Sequence, residues 1–183
     1  WLANDYLLTV LILILYFAYT GQAWNIMMGF AGQLSLGHAL YVGLGAYTAA
    51  ALYVHFGIGP WLGLLVAAPI AMVSGAFIGF LAFRFRVAGV YFAILTIAFA
   101  EFARVGFDHI GWVNASAGLF LPVAQYTHND LWRLRGQPIM FYYVILAATV
   151  LVFILCHALL RSRIGYFWLA IREDEEAARA VGI

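Results

Sequence analysis

Residues 62–83 read LGLLVAAPIAMVSGAFIGFLAF, a stretch without a single charged side chain. About 20 helical residues cross a hydrocarbon core about 30 Å thick, so this run predicts a membrane-spanning helix. The rest of the chain has the same character, because 66% of its 183 residues are hydrophobic and only 9% are charged. Soluble domains are about a quarter charged, and a soluble fold of this size cannot hide so much apolar surface. The composition therefore excludes a water-soluble domain.

Four further apolar runs are long enough to span a bilayer, at 7–28, 34–54, 87–103 and 139–160. Backbone polar groups in lipid must be satisfied within the segment, which favours helices, and the alternating pattern of a membrane β-barrel is absent. The sequence predicts an all-α, polytopic membrane protein of about five transmembrane helices. Because the chain starts at Trp1 and stops within a helix-like stretch, we expect it to be a fragment of a longer protein, with parts missing at both ends.

The placement of arginine predicts the orientation in the membrane. Arg84 and Arg86 follow the third span, and Arg161 and Arg163 follow the fifth. The positive-inside rule places both pairs in the cytoplasm, and the two spans between them make this consistent. The segment 104–138 is then expected to be an extracytoplasmic loop.

A polar cluster interrupts the apolar pattern at 31–39, which read AGQLSLGHA. Its glycines lower helix propensity, and its polar side chains can satisfy the backbone groups that a break sets free. Transporters often place a broken helix on the substrate path, so we expect Gln33, Ser35, Gly37 and His38 to line that path. A polar packing site between helices and a plain cytoplasmic loop are the alternative interpretations.

The fourth span carries its own polar residues. Glu101 and Arg104 lie three positions apart near its outer end, a spacing that predicts an ion pair with a structural role. Tyr91 and Thr96 either line the same substrate pathway or bond to neighbouring helices, and the sequence does not decide between the two.

The segment 164–183 is the most highly charged part of the chain, and its last residues read REDEEAARAVGI (172–183). Arg172 and Glu176, and likewise Glu175 and Arg179, are four residues apart and are predicted to pair on a helix. Judged by charge alone, this segment is a solvated helix just inside the membrane.

Glu176, Ala177, Ala178 and Gly182 form the pattern EAAxxxG, which resembles the cytoplasmic loop of ABC importer permeases. Two other stretches resemble the high-affinity branched-chain amino acid permeases of that class: NIMMGFAGQLSLGHALYVGLGAYTAAAL (25–52) and GVYFAILTIAFAEFARV (89–105). With RSRIGYFWLAIREDEEAARAVGI (161–183), they cover more than a third of the chain in the family's order. The outer segment departs from the family, because NASAGLFLP (114–122) stands where a TGG-x-GL pattern is usual.

The resemblance implies one transmembrane permease domain over 1–183, with a cytoplasmic coupling helix in 164–183 that docks on an ATPase. It assigns this coupling role to Arg172, Glu175, Glu176, Ala177, Ala178 and Gly182. The implied partners are a second permease subunit, two cytoplasmic ABC ATPases, a periplasmic substrate-binding protein and the lipid bilayer of the bacterial inner membrane. The implied substrates are leucine, isoleucine and valine, with urea, amides or other amino acids as the alternative.

The residues also bear on this function independently. All nine basic residues are arginine, so the chain lacks the GxxxxGK[ST] loop that binds ATP, and we expect it to bind no cofactor while partner subunits use ATP. The net charge of +1 gives no reason to expect nucleic acid. A passive channel leaves EAAxxxG unexplained, and an intramembrane enzyme built on Ser35 and His38 lacks an acid to orient that pair. We therefore expect neither catalytic residues nor a metal site.

Overall fold

The structure is a computed structural model that describes residues 5–113, 117–121 and 129–182. These residues form an all-α fold, in which the one paired extended element is an isolated bridge between Asp130 and Arg135. The helices are α1 (Asp5–Asn25), α2 (His38–Phe56), α3 (Pro60–Arg84), α4 (Val90–His109), α5 (Pro138–Leu160), α6 (Arg163–Glu173) and α7 (Glu175–Ala180). The chain divides into two compact units, 1–34 with 136–183 and 35–135.

Five helices of the described residues are long and apolar enough to cross a membrane, which confirms the predicted number of spans. The first continues from α1 through a π-helical turn, Ile26–Phe30. The largest differences from the predicted bounds lie at the start of the second span and at the end of the fourth. Residues 34–37 are irregular, so the second span starts at His38, and the fourth extends to His109. Arg104 does not end the fourth helix but lies within it, at spacings of three and four residues from its ion-pair partners Glu101 and Asp108.

The first unit contains α1, the π-helical turn, α5, α6 and α7. Thr149 Oγ1 donates to the carbonyl of Leu15 at 3.2 Å, and Cys156 Sγ to that of Gln22 at 3.8 Å. Both contacts join residues 134 positions apart, so α1 and α5 run parallel. The turn that ends the first span therefore lies at the same end of the unit as the C-terminal end of α5, which the arginine pattern assigns to the cytoplasm.

The core of the first unit lies at this end. Phe30, Val152 and Cys156 are buried together, and Tyr19 and Trp168 pack against them. Cys156 is a buried free thiol, as its apolar surroundings in the sequence predict. The ring of Trp168 brings α6 onto this core, so the helix that follows the last span is attached to the membrane domain.

The second unit contains α2, α3, α4 and the segment up to residue 135. Gly57, with φ of 65°, ends α2 in the left-handed conformation, and Pro60 begins α3 after a very short turn. The helices approach closely at small residues: a Cβ on Gly63 would contact Ala49 at 3.4 Å. The segment after α4 packs over this turn, because Trp61 Nε1 donates to the carbonyl of Leu131 at 2.8 Å and His55 stacks on Trp112.

The NAS triplet, 114–116, lies outside the described residues, as do 122–128.

Candidate functional site

The first span ends in a tight turn whose backbone is not that of an α-helix. Gln33 N donates to the carbonyl of Met27 at 3.0 Å, whereas a regular helix would direct it to Gly29. Gly32 has φ of 68°, a left-handed conformation that glycine adopts without strain. A side chain at Gly29 would overlap the amide of Asn25. Glycines at these two positions therefore allow the chain to leave the helix here.

The irregular stretch that follows is fixed against α4. Leu36 N donates to Thr96 Oγ1 at 3.1 Å, and that hydroxyl donates to the carbonyl of Ala93 at 2.8 Å. Gly37 lies so close that a Cβ there would overlap the backbone oxygen of Thr96. Thr96 is only 1% exposed, so one buried hydroxyl satisfies the break and anchors it. Thr96 is six residues beyond the first residue of α4, about 9 Å along the helix.

The structure brings part of the predicted pathway set together and separates the rest. Gly37 and Thr96 are in direct contact. Ser35, two positions before Gly37 in the chain, is completely buried. His38 begins α2, its ring meets that of Tyr41 edge-on, and its Nδ1 is buried without a hydrogen-bond partner among the described residues. Gln33 belongs to the first unit. Tyr91 is 76% exposed near the start of α4, apart from the break.

A cavity of about 370 Å³ lies between α2 and α4 in the second unit. Its walls are mostly aliphatic and aromatic, and its lining residues are Leu36, Ala39, Leu40, Gly43, Leu44, Tyr47, Ile97, Ala100, Glu101, Ala103, Arg104, Phe107 and Asp108. The stretch of α4 from Ile97 to Asp108 rises about 16 Å, so the cavity runs from the anchored break toward the C-terminal end of α4. Mostly apolar walls with a few polar groups are typical of small-molecule sites.

The polar groups of the cavity are concentrated toward the C-terminal end of α4, the end predicted to face outward. Arg104 Nε lies 2.7 Å from Glu101 Oε2, and its Nη1 lies 3.3 Å from Asp108 Oδ2. The three side chains are between 40% and 64% exposed. Tyr47 stacks on Phe107 at 4.7 Å between ring centres and forms the adjacent wall. The predicted ion pair of Glu101 and Arg104 is thus present, with Asp108 as a third member.

Asp108 and Tyr47 were not among the residues that the sequence singled out. Asp108 follows Arg104 by four positions, and this spacing could have revealed it once the helix was extended beyond residue 103. Tyr47 carries no comparable signal, because an aromatic residue within an apolar helix looks the same whether it lines a cavity or faces lipid.

The segment that follows the last span folds as two helices rather than one. Ser162 caps α6, with its hydroxyl accepting from Gly165 N at 3.2 Å. Asp174 has an extended backbone and ends α6, and its Oδ1 accepts from Glu176 N at 2.9 Å and Ala177 N at 3.0 Å to cap α7. The predicted pair of Arg172 with Glu176 is therefore wrong, because Asp174 separates the two residues into different helices.

The short helix α7 presents a charged outer face. Glu175, Glu176 and Ala177 are exposed, while Ala178 is buried against the rest of the chain. Glu175 pairs with Arg179 on the same helix, as predicted. Gly182 follows with φ of 84°, a left-handed value that favours glycine after a helix.

Arg172, near the end of α6, lies on the turn that ends the first span. Its Nη1 donates to the carbonyl of Gly29 at 2.8 Å, and its Nη2 lies 2.6 Å from Glu173 Oε1. A Cβ on Gly32 would lie 2.6 Å from Arg172 Cγ and 3.4 Å from its Cα, so the two segments are in close contact. The sequence grouped Arg172 with the ATPase-docking residues, and it gave no sign of this contact.

Comparison with known proteins gives a consistent result. The family described as "Branched-chain amino acid transport system / permease component" matches residues 6–183. The chain is 31% identical over 184 residues to the high-affinity branched-chain amino acid transport system permease protein LivM of Escherichia coli strain K12, and 30% identical to the protein of the same name from Salmonella typhimurium strain LT2. Both alignments cover 89% of this chain but 43% of the relative, so the chain spans less than half the length of these proteins. No solved structure matches the chain significantly.

Proposed function

Because the chain belongs to the family of permease components of branched-chain amino acid transport systems, we propose that it is a membrane-spanning subunit of an ATP-driven importer for leucine, isoleucine and valine. It works in the bacterial inner membrane, with a second permease subunit, two cytoplasmic ATPases and a periplasmic binding protein. It binds no cofactor itself, since ATP is bound and hydrolysed by the partner chains. The chain itself contributes the pathway for the amino acid and the structural change that follows ATP hydrolysis in the partner subunits.

The observation that carries the ATP-driven part of this proposal is α7. This helix follows the last span on the cytoplasmic side, is capped by Asp174, and exposes Glu175 and Glu176. An exposed acidic first turn suits a basic cleft on a partner protein, since opposite charges guide docking. Ala177 and Gly182 add small exposed residues to this surface, while Ala178 packs the helix against the rest of the chain. We assign ATPase docking to this helix.

The cavity between α2 and α4 supports the choice of substrate. A branched-chain amino acid has an aliphatic side chain and a zwitterionic head group. Leu40, Leu44 and Ile97 offer an aliphatic wall, while Glu101 and Arg104 offer one charge of each sign at the outer end. In this proposal the side chain lies along the wall, and the ammonium and carboxylate groups meet the charged cluster.

The break contributes to transport by holding the cavity in shape. Three residues of this region are buried and do not line the cavity: Ser35, Gly37 and Thr96. In this proposal they act on the substrate indirectly, through Leu36, which lines the cavity and whose amide bonds to Thr96. His38 and Gln33 flank this stretch and complete the proposed pathway region. Tyr91 is assigned no direct contact in this proposal, because it is exposed away from the cavity lining.

Competition for uptake tests the substrate assignment. The full-length protein is reconstituted in proteoliposomes with its partner subunits and binding protein, and uptake of radiolabelled leucine is measured against excess valine, isoleucine, alanine or urea. We expect valine and isoleucine to compete strongly and urea to have no effect. Competition by urea but not by valine would contradict the assignment, and would favour an amide permease of the same family.

A further inference from the structure

We infer that Arg172 is a positioning residue for transport, which ties the ATPase-facing segment α6–α7 to the turn 26–32 at the end of the first span. This inference rests on the proposed ATP-driven function and adds a route by which movement of the cytoplasmic segment reaches the break. All the contacts that define it lie within the first unit.

The turn leaves one backbone acceptor available at its surface. In a continuing helix, the carbonyl of Gly29 would accept from Gln33 N. That amide bonds to Met27 instead, because the positive φ of Gly32 turns the chain back. Arg172 Nη1 takes the vacated position at 2.8 Å from the Gly29 oxygen. The cytoplasmic segment therefore supplies the hydrogen bond that the first span lacks at its end.

The guanidinium is held on both sides. While Nη1 bonds to Gly29, Nε and Nη2 lie 3.2 Å and 2.6 Å from Glu173 Oε1. Only arginine carries donors in this fork geometry, and a lysine has one charged centre to share between the two acceptors. A charge-assisted bond to a backbone carbonyl, oriented by a carboxylate, is among the stronger hydrogen bonds that a protein makes.

Close packing adds a second connection. The backbone at Gly32 has no side chain, and Arg172 fills the space with its Cβ and Cγ. A shift of α6 along this turn therefore pushes against residues 29–32 directly. From Gly32 the chain continues through 33–35 to Leu36, a residue of the cavity wall.

The test uses the full-length protein in its reconstituted complex, with Arg172→Gln as the main variant. Arg163→Gln is the matched control, since it removes the same charge from the same helix at an exposed position. Two quantities are measured: ATP hydrolysed and leucine transported. We expect R172Q to lower the leucine transported per ATP by about tenfold, because a charge-assisted hydrogen bond is lost. R172K should recover part of this ratio, and R163Q should match the wild type.

Amide hydrogen exchange in residues 27–33 is a second measurement. If Arg172 had only a structural role, nucleotide binding would not change the exchange of this segment through Arg172. In the wild-type complex, binding of a non-hydrolysable ATP analogue should change exchange in this segment, and in R172Q the change should disappear. An unchanged transport ratio in R172Q overturns the inference alone, provided that the wild type is ATP-driven. A wild type without ATP-driven uptake overturns the proposed function instead. If R172Q does not assemble, the wild-type exchange decides: no nucleotide-dependent change at 27–33 overturns the inference.

Discussion

The Thr96→Val substitution tests whether the Thr96 hydroxyl anchors the break, because it leaves the packing of this side chain on α4 nearly unchanged. Valine keeps the shape and volume of threonine but removes the hydroxyl, which accepts from Leu36 N at 3.1 Å. Thr96 is 1% exposed and its bond to Leu36 is partly buried, so the Leu36 amide loses this partner. A buried donor without a partner costs about 1–3 kcal/mol.

Thr20→Val is the matched control for this substitution. The Thr20 hydroxyl donates to the carbonyls of Tyr16 and Phe17 on its own helix. Its removal leaves no unsatisfied backbone donor, and we expect a change of no more than about 0.5 kcal/mol. Thermal unfolding of the full-length protein in detergent measures both variants. Each kcal/mol corresponds to a shift of roughly 2–4 °C in Tm.

Leucine uptake is measured on the same two proteins. Because Leu36 lines the cavity, T96V should also reduce uptake, while T20V should not. Equal stability and equal uptake in T96V and T20V would refute the view that the Thr96 hydroxyl anchors the break.

Three further substitutions test other parts of the account. Gly37→Ala should destabilise the protein by about 1–3 kcal/mol in the same unfolding assay, because its Cβ would overlap the Thr96 backbone; a neutral effect would contradict the close approach. Asp174→Ala should lower uptake, because it removes a cap of α7 worth about 1 kcal/mol, whereas Asp174→Asn keeps a capping oxygen and should retain most of the uptake. Equal uptake in the two variants would count against a docking role for α7. Arg104→Gln should raise the leucine concentration for half-maximal transport several-fold. Its Tm should change little, because exposed ion pairs contribute little stability. An unchanged concentration dependence would show that Arg104 is not part of the substrate site.

The membrane spans could be predicted from the sequence because each depends on local composition. The run 62–83 lies within α3 (Pro60–Arg84), and the arginine pairs that predict the orientation lie at or just beyond the C-terminal ends of α3 and α5. The end of α4 was placed too early, because Arg104 was taken as the end of the apolar stretch. In the structure, α4 continues to His109, and Arg104 pairs with Glu101 and Asp108 within it.

The candidate site depends on contacts between distant parts of the chain, and the sequence could not supply these. The polar cluster at 31–39 predicted an interruption of the apolar helices, and its residues form the irregular connection between the first and second spans, but its hydrogen-bond partner is Thr96, sixty residues away. The contact of Arg172 with Gly29 joins residues 143 positions apart. Arg172 was predicted to pair with Glu176 because spacing assumes a continuous helix, and Asp174 interrupts that helix with its extended backbone.

The central claim is that the chain moves amino acids at the expense of ATP hydrolysed by its partners. The most direct measurement is leucine accumulation in proteoliposomes that contain the full-length protein, its partner subunits and loaded binding protein. One set uses active ATPase subunits, and the matched set uses ATPase subunits that bind but do not hydrolyse ATP. We expect leucine to accumulate above its external concentration in the first set and not in the second. Equilibration of leucine to the same level in both sets would show a passive pathway and contradict the account.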